Sequence, residues 1–173
     1  MPDGVLVVTG GSRGIGAAVA RAAASAGWSV ALTYRDDEAA ATAVVTDVEA
    51  AGGVAVAVRA DVAVEDDVLA AFAAADRLGP LTGLVANAGV VAPRARVDEY
   101  TAERVQRLLA VDVLGTVLCC REAVRRMSTR YGGGGGSVVL VSSAACRLGS
   151  AAPMPAPPRP LQPCPGRSKA MTR

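Results

Sequence analysis

Apolar and polar residues alternate along this chain in blocks too long for hairpins. Val5-Leu6-Val7-Val8 is a short apolar run, stopped by Thr9-Gly10-Gly11. An Ala-rich stretch of helical periodicity covers residues 14–26 and stops at Gly27. The same alternation recurs. Residues 29–34 predict a second strand and 36–51 a second helix, closed by Gly52-Gly53. Residues 54–59 give a third strand and 65–77 a third helix, ended by Gly79-Pro80. A fourth strand covers 81–86 and meets Asn87-Ala88-Gly89. A long helix spans about 101–128, and a fifth strand, 137–141, follows the glycine run at 132–136.

Strands that are apolar on both faces and separated by helices mark a parallel sheet covered on each side and wound by right-handed crossovers. The fold class expected is therefore α/β: a doubly wound, Rossmann-type parallel sheet of five strands within residues 1–150. Residues 151–173 break the pattern. Seven of the ten prolines fall in the segment PMPAPPRPLQPCP. Each proline inside a helix removes a backbone donor and clashes with the preceding turn, so the segment is expected as a Pro-rich disordered tail. A chain of 173 residues suits one domain that buries roughly 70% of its unfolded surface.

Composition narrows the chemistry. Histidine is absent, Lys169 is the single lysine, and the tyrosines are Tyr34, Tyr100 and Tyr131. Nucleophile systems built on histidine and histidine-ligated metals are excluded from these residues, and no metal site is expected. With 18 basic and 16 acidic side chains the net charge is +2, and no basic block offers a nucleic-acid footprint. Apolar segments are short and the first residues lack a basic leader, so neither a membrane span nor a signal is expected. Cys119, Cys120, Cys146 and Cys164 lack C-x-x-C spacing, and a reducing cytoplasm fits them best. Adjacent Cys119-Cys120 reads as small apolar filler in a helix.

The turn after the first strand reads Thr9-Gly10-Gly11-Ser12-Arg13-Gly14-Ile15-Gly16 and opens a helix. Glycines at 10, 14 and 16 allow a tight turn, close approach of a pyrophosphate, and close packing of helix on sheet, with free helix N–H groups facing the phosphates. A glycine-rich turn serving the backbone alone is the bland alternative. Gly10, Arg35, Asp61, Asn87 and Ser143 all lie at or just past the carboxyl ends of the five strands, the edge where open α/β sheets bind ligands.

The spacing G-x-x-x-G-x-G, followed by Asp61-Val62, Asn87-Ala88-Gly89 and Ser142-Ser143 in order, resembles the short-chain dehydrogenase/reductase family over about residues 4–150. The resemblance implies a cofactor site made by Gly10, Ser12, Arg13, Gly14, Ile15 and Gly16, with Asp61 and Val62 against adenine and Asn87, Ala88 and Gly89 after strand four. It implies an oxidoreductase that transfers hydride between NADP(H) and a carbonyl/alcohol substrate, and a homo-oligomer. The end of strand two carries Tyr34-Arg35 where an NAD-type protein places an acid. Arg35 with Arg13 could therefore grip a 2′-phosphate, and NADP is expected over NAD.

Two candidate residues remain open at this point. Counting by 3.6 places Asp112 on a stripe with Val105, Leu108, Leu109, Thr116 and Cys119, where a carboxylate needs a partner or a raised pKa. The family has Asn here as a catalytic residue, so Asp112 reads either as a structural buried acid or as a modified catalytic relay. Ser143 falls at the position of the family's substrate-binding serine; a hydroxyl that merely ends a strand is the alternative.

The family's proton donor is a Tyr in Tyr-x-x-x-Lys, and no Tyr follows Tyr131. Counting from Ser143 puts Ala156-Pro157 in its place, and aligning on Lys169 puts Pro165 there. Lys169 is thus a doubtful catalytic residue. Tyr100-x-x-x-Arg104 has the spacing but reads as a helix-start pair. The abrupt turn to Pro/Arg/Ala sequence suggests a frameshift near codon 150 that truncates a reductase and removes its later strands and oligomer-forming helices. A catalytically inactive dinucleotide-binding fragment is the alternative function.

Overall fold

The computed structural model describes residues 4–93 and 95–143. The chain divides after Val141 into two units, Met1–Val141 and Ser142–Arg173. The expected Pro-rich tail lies outside the described residues, as do Cys146, Cys164 and Lys169.

Five strands form one sheet: β1 (Val5–Val8), β2 (Ser29–Tyr34), β3 (Val54–Arg59), β4 (Leu81–Ala86) and β5 (Ser137–Leu140). All pairings are parallel and the order is β3-β2-β1-β4-β5. The register sets Val7 beside Ala31 and Leu84, so the three middle strands meet at their apolar centres. Successive side chains on a strand point to opposite faces, and the core divides accordingly. Val5, Val7, Ala31, Leu84 and Ala86 pack on one face with Phe72 and Leu118; Leu6, Val8, Val30, Leu32 and Val85 pack on the other with Ala20 and Val44.

The first face is covered by α3 (Glu65–Asp76) and α5 (Thr116–Met127), the second by α1 (Gly14–Ser25) and α2 (Glu38–Ala50). Between α3 and α5 the buried Glu122 accepts hydrogen bonds from Arg121, Arg125 and Arg126, and Arg126 reaches on to Asp76. Burial alone would push the Glu122 carboxyl up. The hydrogen bonds and charges of Arg126 and Arg121 outweigh that and hold it below the ordinary range. Cys119 lies in the core and Cys120 is half-buried against it, consistent with packing roles; both are free thiols.

The expected long helix is wound in three ways. It begins as α4 (Ala102–Leu108), passes through a π-helical segment (Leu109–Gly115), and continues as α5. The i→i+5 bonds of a π-turn add a residue to each turn and shift the phase of everything beyond it. This corrects the stripe expected by counting at 3.6. Val111, Gly115, Leu118 and Cys119 face inward, whereas Val105, Leu109 and Asp112 are exposed. Asp112 is therefore not a buried acid.

Candidate functional site

The chain leaves β1 toward β2 and β3 and returns to place β4 on the opposite side of β1. The turns after β1 and β4 consequently diverge, and a crevice opens at the carboxyl ends of the strands. A cleft of about 300 Å³ occupies that position, a size typical of small-molecule sites.

Hydroxyl and amide side chains tie its floor together. Thr9 Oγ1 accepts from the backbone N–H of Asn87 at 3.0 Å and of Ala88 at 2.9 Å. The Asn87 side-chain amide donates to the carbonyls of Thr9 at 2.9 Å and Gly10 at 3.1 Å. The Gly10 N–H donates to Thr33 Oγ1 at 3.2 Å. The turns after β1 and β4 are thereby fixed to each other and to the end of β2.

The glycines serve different needs. Gly14 has φ +56°, a left-handed conformation that disfavours any side chain, and a Cβ there would meet nothing within 4 Å. Gly16 needs its missing Cβ for space: that atom would stand 2.3 Å from the Gly10 carbonyl oxygen and 2.6 Å from Asn87 Nδ2. Helix α1 starts against this loop with no side-chain cap from Arg13 and no acid in its first turn. Helices α2 and α3 are treated differently, while α5 continues directly from the π-helical segment and has no free start. Asp37 caps α2 by accepting from the Ala40 N–H, and Glu65, Asp66 and Asp67 crowd the first turn of α3. The positive end of α1 is left for something else.

Of the residues expected to hold a cofactor, Gly10, Ser12, Arg13, Ile15, Arg35, Asp61, Val62, Asn87, Ala88 and Gly89 all line this one cleft. Gly14 and Gly16 do not line it but belong to the same turn, at the start of α1. Arg35 pairs with its exposed neighbour Asp36 at 2.6 Å; such a surface pair contributes roughly 0–1 kcal/mol and yields readily to a stronger anion. Arg13 makes no ion pair among the described residues. Arg59 Nε donates to the Arg35 carbonyl at 3.2 Å.

Asp61 Oδ1 accepts from the Ala63 N–H at 3.0 Å and Oδ2 from Arg107 at 2.9 Å. Burial would raise this carboxyl, but the Ala63 N–H, Arg107 and the more distant Arg35 prevail and hold it below the usual carboxylate range. Arg107, on α4, and Val111, on the π-segment, also line the cleft and had no signal in the sequence. The helix comes close because position 115 is glycine: a Cβ there would stand 2.7 Å from Val62 Cγ2.

Asp112 does not line the cleft. Its Oδ1 accepts from the Val90 N–H at 2.8 Å, so it braces the turn that follows Asn87-Ala88-Gly89. Ser142 and Ser143 follow β5, are exposed, and belong to the second unit. Tyr100 and Arg104 form the helix-start pair expected of them: Thr101 caps α4 by accepting from the Arg104 N–H, and the guanidinium lies 4.6 Å from the Tyr100 ring. Among the described residues no helix is long and apolar enough to cross a membrane, and no group of three potential metal ligands occurs.

Comparison with known proteins agrees with this architecture. Residues 4–154 match the short chain dehydrogenase family. The uncharacterized oxidoreductase YgfF of Escherichia coli K12 is 47% identical over 147 residues, covering 84% of this chain and 60% of that protein. An uncharacterized oxidoreductase of Methylorubrum extorquens is 44% identical over 125 residues, covering 71% of this chain and 50% of that one. Among solved structures, a dehydrogenase/reductase from Sinorhizobium meliloti superposes with a TM-score of 0.78 at 36% identity, over 86% of this chain and 57% of its own. The chain thus spans between half and two thirds of the length of the relatives it matches. With a five-stranded parallel sheet, a glycine-loop cleft at its switch point, and these relatives, the chain belongs to the short chain dehydrogenase family, oxidoreductases that bind a nicotinamide dinucleotide.

Proposed function

We propose that the cleft binds NADP(H), with NAD(H) the weaker ligand, as the cofactor site of a reductase or dehydrogenase acting on a carbonyl/alcohol pair. The uncapped N-terminus of α1 carries this reading. Its free N–H groups and positive end are the complement of a pyrophosphate, and the open space beside Gly14 lets one approach the backbone. Gly10, Ser12, Arg13, Gly14, Ile15 and Gly16 hold the phosphates. Arg13 and Arg35 grip the 2′-phosphate, Arg35 exchanging Asp36 for a doubly charged partner. Asp61 and Val62 bound the adenine, and Asn87, Ala88 and Gly89 support the dinucleotide from the β4 side.

Bound nicotinamide supplies or accepts the hydride. Ser143 donates a hydrogen bond to the substrate carbonyl oxygen, and Asp112 steadies the Asn87-Ala88-Gly89 turn through Val90. A second reading is favoured by one observation: no tyrosine follows Tyr131, so the family's proton donor has no counterpart in these 173 residues. Loss of a positioned general acid costs roughly 10²–10⁴ in rate. On that reading the chain is a dinucleotide-binding fragment without turnover.

Fluorescence titration with NADPH and NADH, followed by NADPH-oxidation assays over a panel of aldehydes and ketones, tests both. NADPH should bind about tenfold tighter than NADH, a difference that Arg35→Ala abolishes. Binding with turnover supports the reductase; binding without it supports the fragment. Failure to bind either nucleotide overturns both.

A further inference from the structure

Strand β5 ends one side of the sheet, and its bonds to β4 decide which of its backbone groups are left over. The Val141 N–H donates to the Ala86 carbonyl at 2.9 Å, and Val139 lies beside Val85. Backbone groups alternate in direction along a strand, so Val139 also turns its N–H and C=O toward β4. Val138 and Leu140 turn theirs outward, where no described strand meets them. Only another extended strand satisfies such a row of groups together.

The side chains of this edge are apolar and exposed on both faces. Val138 stands beside Leu84, and Leu140 beside Ala86, on the face covered by α3 and α5. Val139 stands beside Val85 on the opposite face, where α1 and α2 pack against β1, β2 and β3. Edge strands are ordinarily guarded by charge, proline or a bulge. Here no charged residue or proline lies between Arg130 and Arg147, and the pairing of β5 with β4 has no register shift. Two identical edges of this kind do not repel each other. Proline has no N–H to give a ladder, so the Pro-rich sequence at 153–165 is a poor competitor for the edge.

We propose that the β5 edge is an interface for a second copy of this chain, the two strands running antiparallel about a two-fold axis at Val139. In that register Val138 of each copy faces Leu140 of the other. Each such antiparallel pair exchanges two N–H···O=C bonds, so every outward group of Val138 and Leu140 is satisfied. The two Val139 side chains meet on the axis as a non-hydrogen-bonded pair, with Cα atoms about 4.5 Å apart. The same patch serves both copies, so the assembly closes at two. The copies run in opposite directions, and their clefts open at opposite ends of the joined sheet.

Sedimentation velocity of the full chain from about 1 to 200 μM should show a monomer–dimer equilibrium with nothing larger. Leu140→Pro removes one outward donor from each copy and leaves the bonds of Val139 and Val141 to β4 in place. It should weaken the dimer about tenfold or more while circular dichroism stays unchanged. A folded Leu140→Pro that dimerises as before overturns the proposal. If Leu140→Pro fails to fold, oxidative cross-linking decides. Two Val139→Cys positions on the axis fall within the Cα separation of about 4.4–6.8 Å that a disulfide spans. Two Val141→Cys positions are offset by four residues along the ladder, roughly 13 Å, and should not link. Peptide mapping without reduction separates these links from those of the native cysteines. No link at Val139→Cys, or equal linking at Val141→Cys, overturns the proposal, as does a chain that stays monomeric throughout or grows beyond the dimer.

Discussion

The side-chain amide of Asn87 donates to the carbonyl of Thr9 at 2.9 Å across 78 residues of sequence, and to Gly10 beside it. One short side chain thus joins the turn after β4 to the turn after β1, at the place where the sheet reverses its order. Asn87→Ala leaves two carbonyls without their donor. At about 1 kcal/mol per hydrogen bond, the variant should lose about 2 kcal/mol. A urea titration should show the lower midpoint with an unchanged slope, and NADPH binding should weaken in parallel.

Gly14 and Gly16 should respond differently to the same added methyl. Gly16→Ala drives a Cβ to 2.3 Å from the Gly10 oxygen, where the backbone must move, and overpacking of this kind costs about 1–3 kcal/mol. Gly14→Ala has open space but must hold a left-handed dihedral at about 1–2 kcal/mol. In thermal melts both variants should be less stable. In titrations Gly16→Ala should lose more NADPH affinity than its stability loss accounts for, because the loop itself is displaced.

The Glu122 carboxyl is held below its unfolded value of about 4.3 by Arg126 and Arg121. A depressed folded pKa gives stability that is fully present above the unfolded value and is lost as pH falls through the folded one. Asp61 contributes with the same sign. Breaking a fully buried ion pair costs roughly 3–5 kcal/mol. Arg121, Arg125 and Arg126 retain water contact, so Glu122→Gln should cost about 2 kcal/mol at pH 7. Chemical denaturation repeated from pH 7 to pH 3 should show the gap between the two proteins closing below about pH 4.3.

Burial, aided by the charges of Cys120 and Glu122, pushes the Cys119 thiol up to about 12. Because the thiolate is the nucleophile, Cys119 should stay unmodified by iodoacetamide at pH 8 in the folded protein and react fully in denaturant. Cys120, half-buried and with a thiol raised by burial, should react at an intermediate rate. Peptide mass mapping of each site separates the two.

Strand β5 pairs with β4 alone among the described residues, and Val139 and Leu140 on it are 53% and 56% exposed. An exposed apolar edge strand is a template for pairing between chains. The 173-residue chain should therefore associate at micromolar concentration in light scattering, and Val139→Lys should shift it toward monomer.

Much of this architecture was legible because the signals are local. Gly27, Gly52 and Gly79 end helices in sequence and in space, and strands β3 and β4 begin and end where the apolar runs do. The cleft was legible for the same reason, since Gly10, Asp61 and Asn87 each follow a strand directly. Asp112 misled because a π-turn leaves no periodic trace: counting at 3.6 carries the phase through Leu109–Gly115 as though the winding were uniform. Arg107 was invisible for a different reason. Its partner is 46 residues away, and on α4 it looks like any solvated charge.

The strand order also sets a timetable for synthesis. β1 can pair with β2 once about 34 residues are made, but its other neighbour, β4, ends only at Ala86. At translation rates of roughly 5–20 residues per second, the central strand spends about 3–10 s with one edge unpaired while the growing chain is tethered to the ribosome. The interval is long compared with the microseconds of hydrophobic collapse. A nascent chain of this kind is a natural client for chaperones that shield apolar strands, and slowing translation over residues 35–86 should lengthen that dependence.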